Sequence, residues 1–280
     1  MDYENEYNES LKLFIALNIE LKKAFSGLIH LDSEVSLGLK EVGIYRHLQK
    51  LIPCFDILLS VSKSDSIQSL ITLQRMIVDN YTIFYLLTSH SSKEEQTLRY
   101  YLYLLDAAIS RPKIIDQFAK GIKSDLPESA FVNAKIAKNA DIIAEKNLKD
   151  KIKATQKSII LANEIIERTN WKFKDSITIN QNKNRYSWKD LYTISRIPAY
   201  HAEMIQSYNS SYVHGLGMSI MGGREKKDIY PFKISSLDFC SVLMSLIIKI
   251  LTIEFEEEIS KIEFNNNTIE FMNKNWNDWR

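Results

Sequence analysis

Apolar and polar residues alternate with a helical period along most of this chain. Leu11, Phe14, Ile15, Leu17, Ile19, Leu21, Phe25 and Leu28 recur at helical spacing and predict a first helix over about residues 9–31. A second helical stretch covers about 35–61, where Pro53, with no N–H to donate, is expected to bend or interrupt it. Ser62-Lys63-Ser64-Asp65 reads as a turn that caps a third helix, about 66–88. Helices over about 92–110 and 113–120 follow. From residue 128 to 167 the apolar stripe is narrow and lysines are frequent, which predicts a protruding helical hairpin or one long, partly exposed helix. Its charge run over 145–157 is either a solvated face or a face turned to RNA or a protein partner.

Residues 171–187 form the best loop candidate. The run Asn180-Gln181-Asn182-Lys183-Asn184 breaks all periodicity, and Ser176-Ile177-Thr178-Ile179 alternates only long enough for a small strand pair. Short helices are expected over 188–195 and 198–214, with Pro198 in an opening turn where its missing N–H is no loss, and with Gly215 and Gly217 ending the second. The last long helix spans about 236–260. The tail beyond it carries Phe271, Met272, Trp276 and Trp279, which either pair with a second copy as a homodimer or fold back onto their own chain. These elements predict an all-α, multi-helix bundle in a single domain over 1–280. Its core is expected over about 9–120 and 188–260, with the protruding segment over about 128–169.

Composition narrows the function classes. A hydrophobic share of 45% in 280 residues supports a substantial core, and eight Gly with five Pro are too few for a barrel or a Gly-rich phosphate-binding fold. Thirty-six basic against 35 acidic residues leave a formal charge of +1, so any contact with nucleic acid must be local. Cys54 and Cys240 each lie in an apolar run, as buried thiols do, and not in a C-x-x-C spacing. Neither H-E-x-x-H nor a His cluster occurs, so no metal and no cofactor are expected. The acidic start lacks the pattern of a signal peptide, which points to the cytoplasm. The apolar run over 237–255 approaches a membrane span in length but contains Asp238, Lys249 and Glu254, and is expected to be a buried core helix.

Two polar sets stand out in this apolar background. On the third helix Gln68, Thr72, Arg75, Asp79 and Thr82 fall in one row at spacings of 4, 3, 4 and 3. A guanidinium among apolar side chains needs a partner, and Asp79 is one turn away. The row is either the helix's outer edge facing water or the wall of a cleft. In the second case the planar fork of Arg75 would take an anion such as a phosphate. Further along, Tyr200, Met204, Tyr208, Ser211 and Tyr212 share a face, while Ser207, Ser210, Ser211 and His214 form an overlapping polar edge. His214 is either a capping or core histidine or a group that titrates near neutral pH. Arg196 and His201 also satisfy the loose Arg-x(4–6)-His spacing of HEPN nucleases. A chain of this composition supplies about half such a match by chance. Ile197 stands where that motif has a polar residue, and Pro198 disturbs the helical phase.

Taken together, Arg75-Met76-Ile77-Val78-Asp79 and the later Tyr208, Ser211-Tyr212-Val213-His214-Gly215 resemble the paired elements of a large bacterial family of unknown function related to HEPN-like helical domains. The resemblance covers about residues 51–251, and Asp79 stands where the family typically has Glu. It implies a bundle that brings Arg75, Asp79, Ser211 and His214 into one cleft. Tyr208, Tyr212, Arg196 and His201 are the residues expected to contact substrate. HEPN-like proteins commonly pair into dimers, and many are RNA-cleaving toxins or act in phage defence. The implied activity is metal-independent RNA cleavage, with His214 as general acid or base and Arg75 stabilising phosphate charge. The alternative is a non-catalytic module that binds a nucleotide, an anion or a protein partner through the same cleft.

Overall fold

The computed structural model describes residues 2–33, 39–121, 128–156, 159–176, 184–209 and 226–277. These residues are all-α, with no strand among them. In chain order they form α1 (Tyr3–Ser26), a 3-10 turn (Ile29–Ser33), α2 (Lys40–Ser62), α3 (Ile67–Thr88), α4 (Lys93–Gly121), α5 (Glu128–Thr155), α6 (Ile159–Arg168) and α7 (Trp188–Ile194). There follow α8 (Ala199–Glu203), running into a π-helical turn (Met204–Asn209), then α9 (Lys226–Glu254), α10 (Glu256–Ile259) and α11 (Asn266–Asn277). They divide into two compact units, one of residues 1–90 with 188–280 and one of residues 91–187.

In the first unit α9 packs along α1 and α3, and α2 packs on α3 and α1. Phe14, Leu17, Leu21, Ala24 and Leu28 make the inner face of the first helical segment and are fully buried. Ile15 and Ile19, off that stripe, remain exposed. On α9 the residues Leu237, Cys240, Leu243, Met244, Ile247, Ile248 and Leu251 are buried, each large aliphatic among them worth about 1.5–3 kcal/mol against water. By length and composition α9 could cross a membrane, but 72% of its most apolar stretch is buried within the fold. Burial raises the Cys240 thiol pKa, while Cys54 is half-buried with its Sγ donating to the Lys50 carbonyl at 3.3 Å.

Several boundaries differ from the sequence expectation for local reasons. Helix α1 starts earlier because Asp2 accepts the Asn5 N–H at 3.2 Å and Glu4 and Glu6 favour the positive helix end, none of which shows in apolar periodicity. Neither Pro53 nor Pro112 breaks its helix, since α2 and α4 each continue through the proline. For α2, the buried Leu51, Ile52 and Phe55 around Pro53 outweigh one lost backbone bond. Helix α9 begins ten residues before the expected start and breaks at Phe255. The tail folds back onto its own chain: Met272 is fully buried, the Trp276 indole donates to the Ser245 carbonyl at 2.9 Å, and Lys249 lies 4.8 Å over the Trp276 ring. Trp279 falls outside the described residues.

In the second unit the lysine-rich segment is two helices, α5 and α6, and α5 packs along α4. Lys138 bonds Asp116 at 2.8 Å, Arg111 bonds Asp141, and Lys151 lies over Tyr101. The partners advance in opposite directions on the two helices, so α4 and α5 run antiparallel. Of the expected loop and strand pair, residues 177–183 fall outside the described residues. The flanks are tied by Asn184, whose Oδ1 accepts the N–H groups of Lys174 and Asp175 at 2.7 and 3.0 Å.

Candidate functional site

The polar row on α3 changes character along its length. Gln68 and Thr72 are exposed, Arg75 and Asp79 are half-buried, and Thr82 is buried. The first part faces water, and the second is covered by the segment from α7 to the π-helical turn. Arg75 Nε donates to Asp79 Oδ2 at 3.3 Å, and its Nη1 donates to the Ile205 carbonyl at 3.2 Å. The Tyr192 hydroxyl donates to Asp79 Oδ1 at 2.5 Å. Both carboxylate oxygens are thus engaged, while the Arg75 and Asp79 side chains stay 22% and 29% exposed. Burial raises the pKa of the Tyr192 phenol, the bond to Asp79 raises it further, and Arg75 partly offsets this.

Local backbone chemistry places Tyr192. At the end of α7 the Ile197 N–H bonds the Tyr192 carbonyl at 3.1 Å and the Arg196 N–H bonds the Thr193 carbonyl at 3.2 Å, the paired bonds of a Schellman cap. Arg196 occupies its left-handed position, φ 65°, where glycine is usual. The cap turns the chain so that the Ser195 carbonyl accepts from Tyr81 at 3.0 Å and the Ser195 hydroxyl meets Thr82 at 3.3 Å. Ile205 lies three residues before Tyr208, so the Arg75 element touches the helix that leads into the later element. The Tyr208 backbone belongs to the π-helical turn, whereas Ser211, Tyr212 and His214 fall outside the described residues.

Arg196 and His201 lie on opposite sides of the break at Ile197-Pro198, with Pro198 at the start of α8. The His201 ring stacks on Phe239 at 4.2 Å and contacts Tyr200 at 4.1 Å. Burial lowers its pKa to about 4, and its Nδ1 is buried without a partner among the described residues. At neutral pH this imidazole is uncharged and a weak base. Among the described residues no three His, Cys, Asp or Glu side chains converge as metal ligands would.

Two participants in the Arg75 site, Tyr192 and the Ile205 carbonyl, and one buried arginine of the second unit, Arg99, escape sequence reasoning. Tyr192 reads as an ordinary apolar position of a short helix, and the Ile205 carbonyl carries no side-chain signal at all. Arg99 in α4 did carry one, an arginine set in the apolar run Leu98 to Leu105. It is fully buried, with Nη1 donating to the Trp171 and Phe173 carbonyls at 2.9 and 2.8 Å and its guanidinium 3.8 Å over the Phe173 ring. Burial lowers its pKa to about 10, with Glu95 opposing, so it remains cationic at neutral pH. Comparison with protein-family models, with curated proteins and with solved structures finds no match for this chain.

Proposed function

We propose that the first unit is a cytoplasmic binding module for a phosphate-bearing ligand, a nucleotide or RNA, and that Arg75 reads the phosphate. One observation carries this reading: the Arg75 guanidinium is oriented by Asp79 and the Ile205 carbonyl yet keeps a fifth of its side chain open to solvent. A guanidinium fixed in this way loses little further freedom on binding, and its planar fork matches phosphate oxygens. Calorimetric titration with ribonucleoside mono- and triphosphates and a short single-stranded RNA tests it. Arg75→Lys should weaken the best ligand by about tenfold or more, since an ammonium cannot reproduce a fork. Equal affinity of the two proteins would contradict the reading.

The second reading is metal-independent RNA cleavage by a HEPN-like bundle, acting as a toxin or in phage defence, with His214 as the proton-transfer group. The bond from Arg75 to Ile205 favours it, because the early element then touches the turn that leads into the later one. The uncharged, stacked His201 speaks against the Arg196–His201 pair as its centre. Wild-type protein and His214→Ala expressed in bacteria should differ in growth and RNA integrity, and equal harmlessness would sink the cleavage reading.

A further inference from the structure

We infer that the first unit carries a second ligand site, for a small organic anion, where α1, the α2–α3 turn and α9 meet. A cavity of about 450 Å³ opens there, lined by Tyr7, Leu11, Lys63, Asp65, Tyr230 and Lys233. That volume suits a small molecule. It is separate from the Arg75 site, because Asp65 lies in the turn before α3 and Arg75 is eight residues beyond Ile67, about 12 Å of helix away.

Lys233 lines the cavity from α9. Its side chain is 9% exposed, and its ammonium lies 5.7 and 5.9 Å from the ring centres of Tyr7 and Tyr230. The two rings are 5.7 Å apart and tilted, and the Tyr7 hydroxyl is held by the Ser62 carbonyl at 3.2 Å. Ring faces stabilise a cation but accept no conventional hydrogen bond from it. The ammonium has three donors, and among the described residues its one acceptor is Asp65 Oδ1 at 3.2 Å. Asp65 is 56% exposed, and an ion pair with so open a partner contributes little, so an incoming carboxylate or phosphate can replace it. Exposed Lys63 adds a second cation, leaving the lining net positive by one charge, two lysines against one aspartate. Leu11 and the tyrosine rings offer an apolar wall for the body of the ligand. A cationic ligand would meet Lys233, which disfavours it.

The site is tested by calorimetry on the full chain at low ionic strength. The probes are benzoate and phenyl phosphate, with benzamide and benzylammonium as neutral and cationic controls. At least one anion should bind saturably and neither control should, the stronger anion telling carboxylate from phosphate recognition. Lys233→Met should weaken that anion by about tenfold or more, Asp65→Asn should strengthen it several-fold, and Arg75→Lys should leave it unchanged. If Lys233→Met melts at a lower temperature than wild type, Asp65→Asn, which sits on the surface, decides by its sign. Binding of no anion, equal binding of a control, or weakening by Asp65→Asn would overturn the inference.

Discussion

Arg75 in α3 of the first unit and Arg99 in α4 of the second are both set among apolar side chains, and the two are held in opposite ways. Arg99 is sealed, held by two backbone carbonyls and a ring face, and among the described residues none of its hydrogen bonds goes to a carboxylate. Arg75 is anchored by a carboxylate and one carbonyl and stays partly open. The difference separates pinning from reading. A buried guanidinium bonded to carbonyls fixes the segment that owns them, here residues 171–173 against α4. A guanidinium with solvent access and displaceable acceptors can meet something from outside.

The contrast predicts unequal costs. Arg99→Met removes two carbonyl bonds and the ring contact, and should destabilise the second unit by about 3 kcal/mol in urea unfolding. Hydrogen exchange should quicken first around residues 171–176. Arg99→Lys should not rescue, because an ammonium cannot stack on Phe173 while bridging both carbonyls. At the open site the effects are smaller. Tyr192→Phe leaves Asp79 Oδ1 without its donor and should cost about 1–2 kcal/mol, and Arg75→Ala about 1 kcal/mol. An Arg99 variant as stable as wild type, beside a strongly unfolded Arg75 variant, would reverse the comparison.

Acid sharpens it further. The pKa of His201 is lowered to about 4 from 6.5 by burial, and that of His47 is lowered by burial as well, so the unfolded chain binds protons that the fold excludes. Stability should be fully present above pH 6.5 and should fall as pH drops from 6.5 toward 4. The His201→Phe variant, which keeps a ring on Phe239, should show a shallower fall in melting temperature over that range, with His47 contributing to what remains. A profile identical to wild type would contradict the assignment. The smallest effects concern backbone strain. Thr169, φ 45°, and Arg196, φ 65°, both hold left-handed conformations. Thr169→Gly should stabilise by up to about 1 kcal/mol in thermal melts, more than Arg196→Gly, since a β-branched side chain is the worse fit there.

The helical core was readable because its signal is periodic and local. Phe14 to Leu28 and Leu237 to Leu251 announce buried faces, and Arg75 with Asp79 announces a pair one turn apart. Pro53 does not interrupt its helix, because a local rule met favourable packing by Leu51, Ile52 and Phe55 on the same helix. The rest of the Arg75 site was not legible, since Tyr192 arrives from more than a hundred residues away and Ile205 contributes only backbone. Arg99 was legible in principle: it shows the same intrusion of a cation into an apolar run that drew attention to Arg75.

Side-chain NMR of the arginine Nε–H groups during titration with a nucleotide tests the distinction between the two arginines most directly. The Arg75 resonance should move saturably with ligand while that of Arg99 stays in place and slow to exchange with solvent. Movement of Arg99, or an Arg75 resonance that no nucleotide shifts, would contradict the assignment of reading to one arginine and pinning to the other.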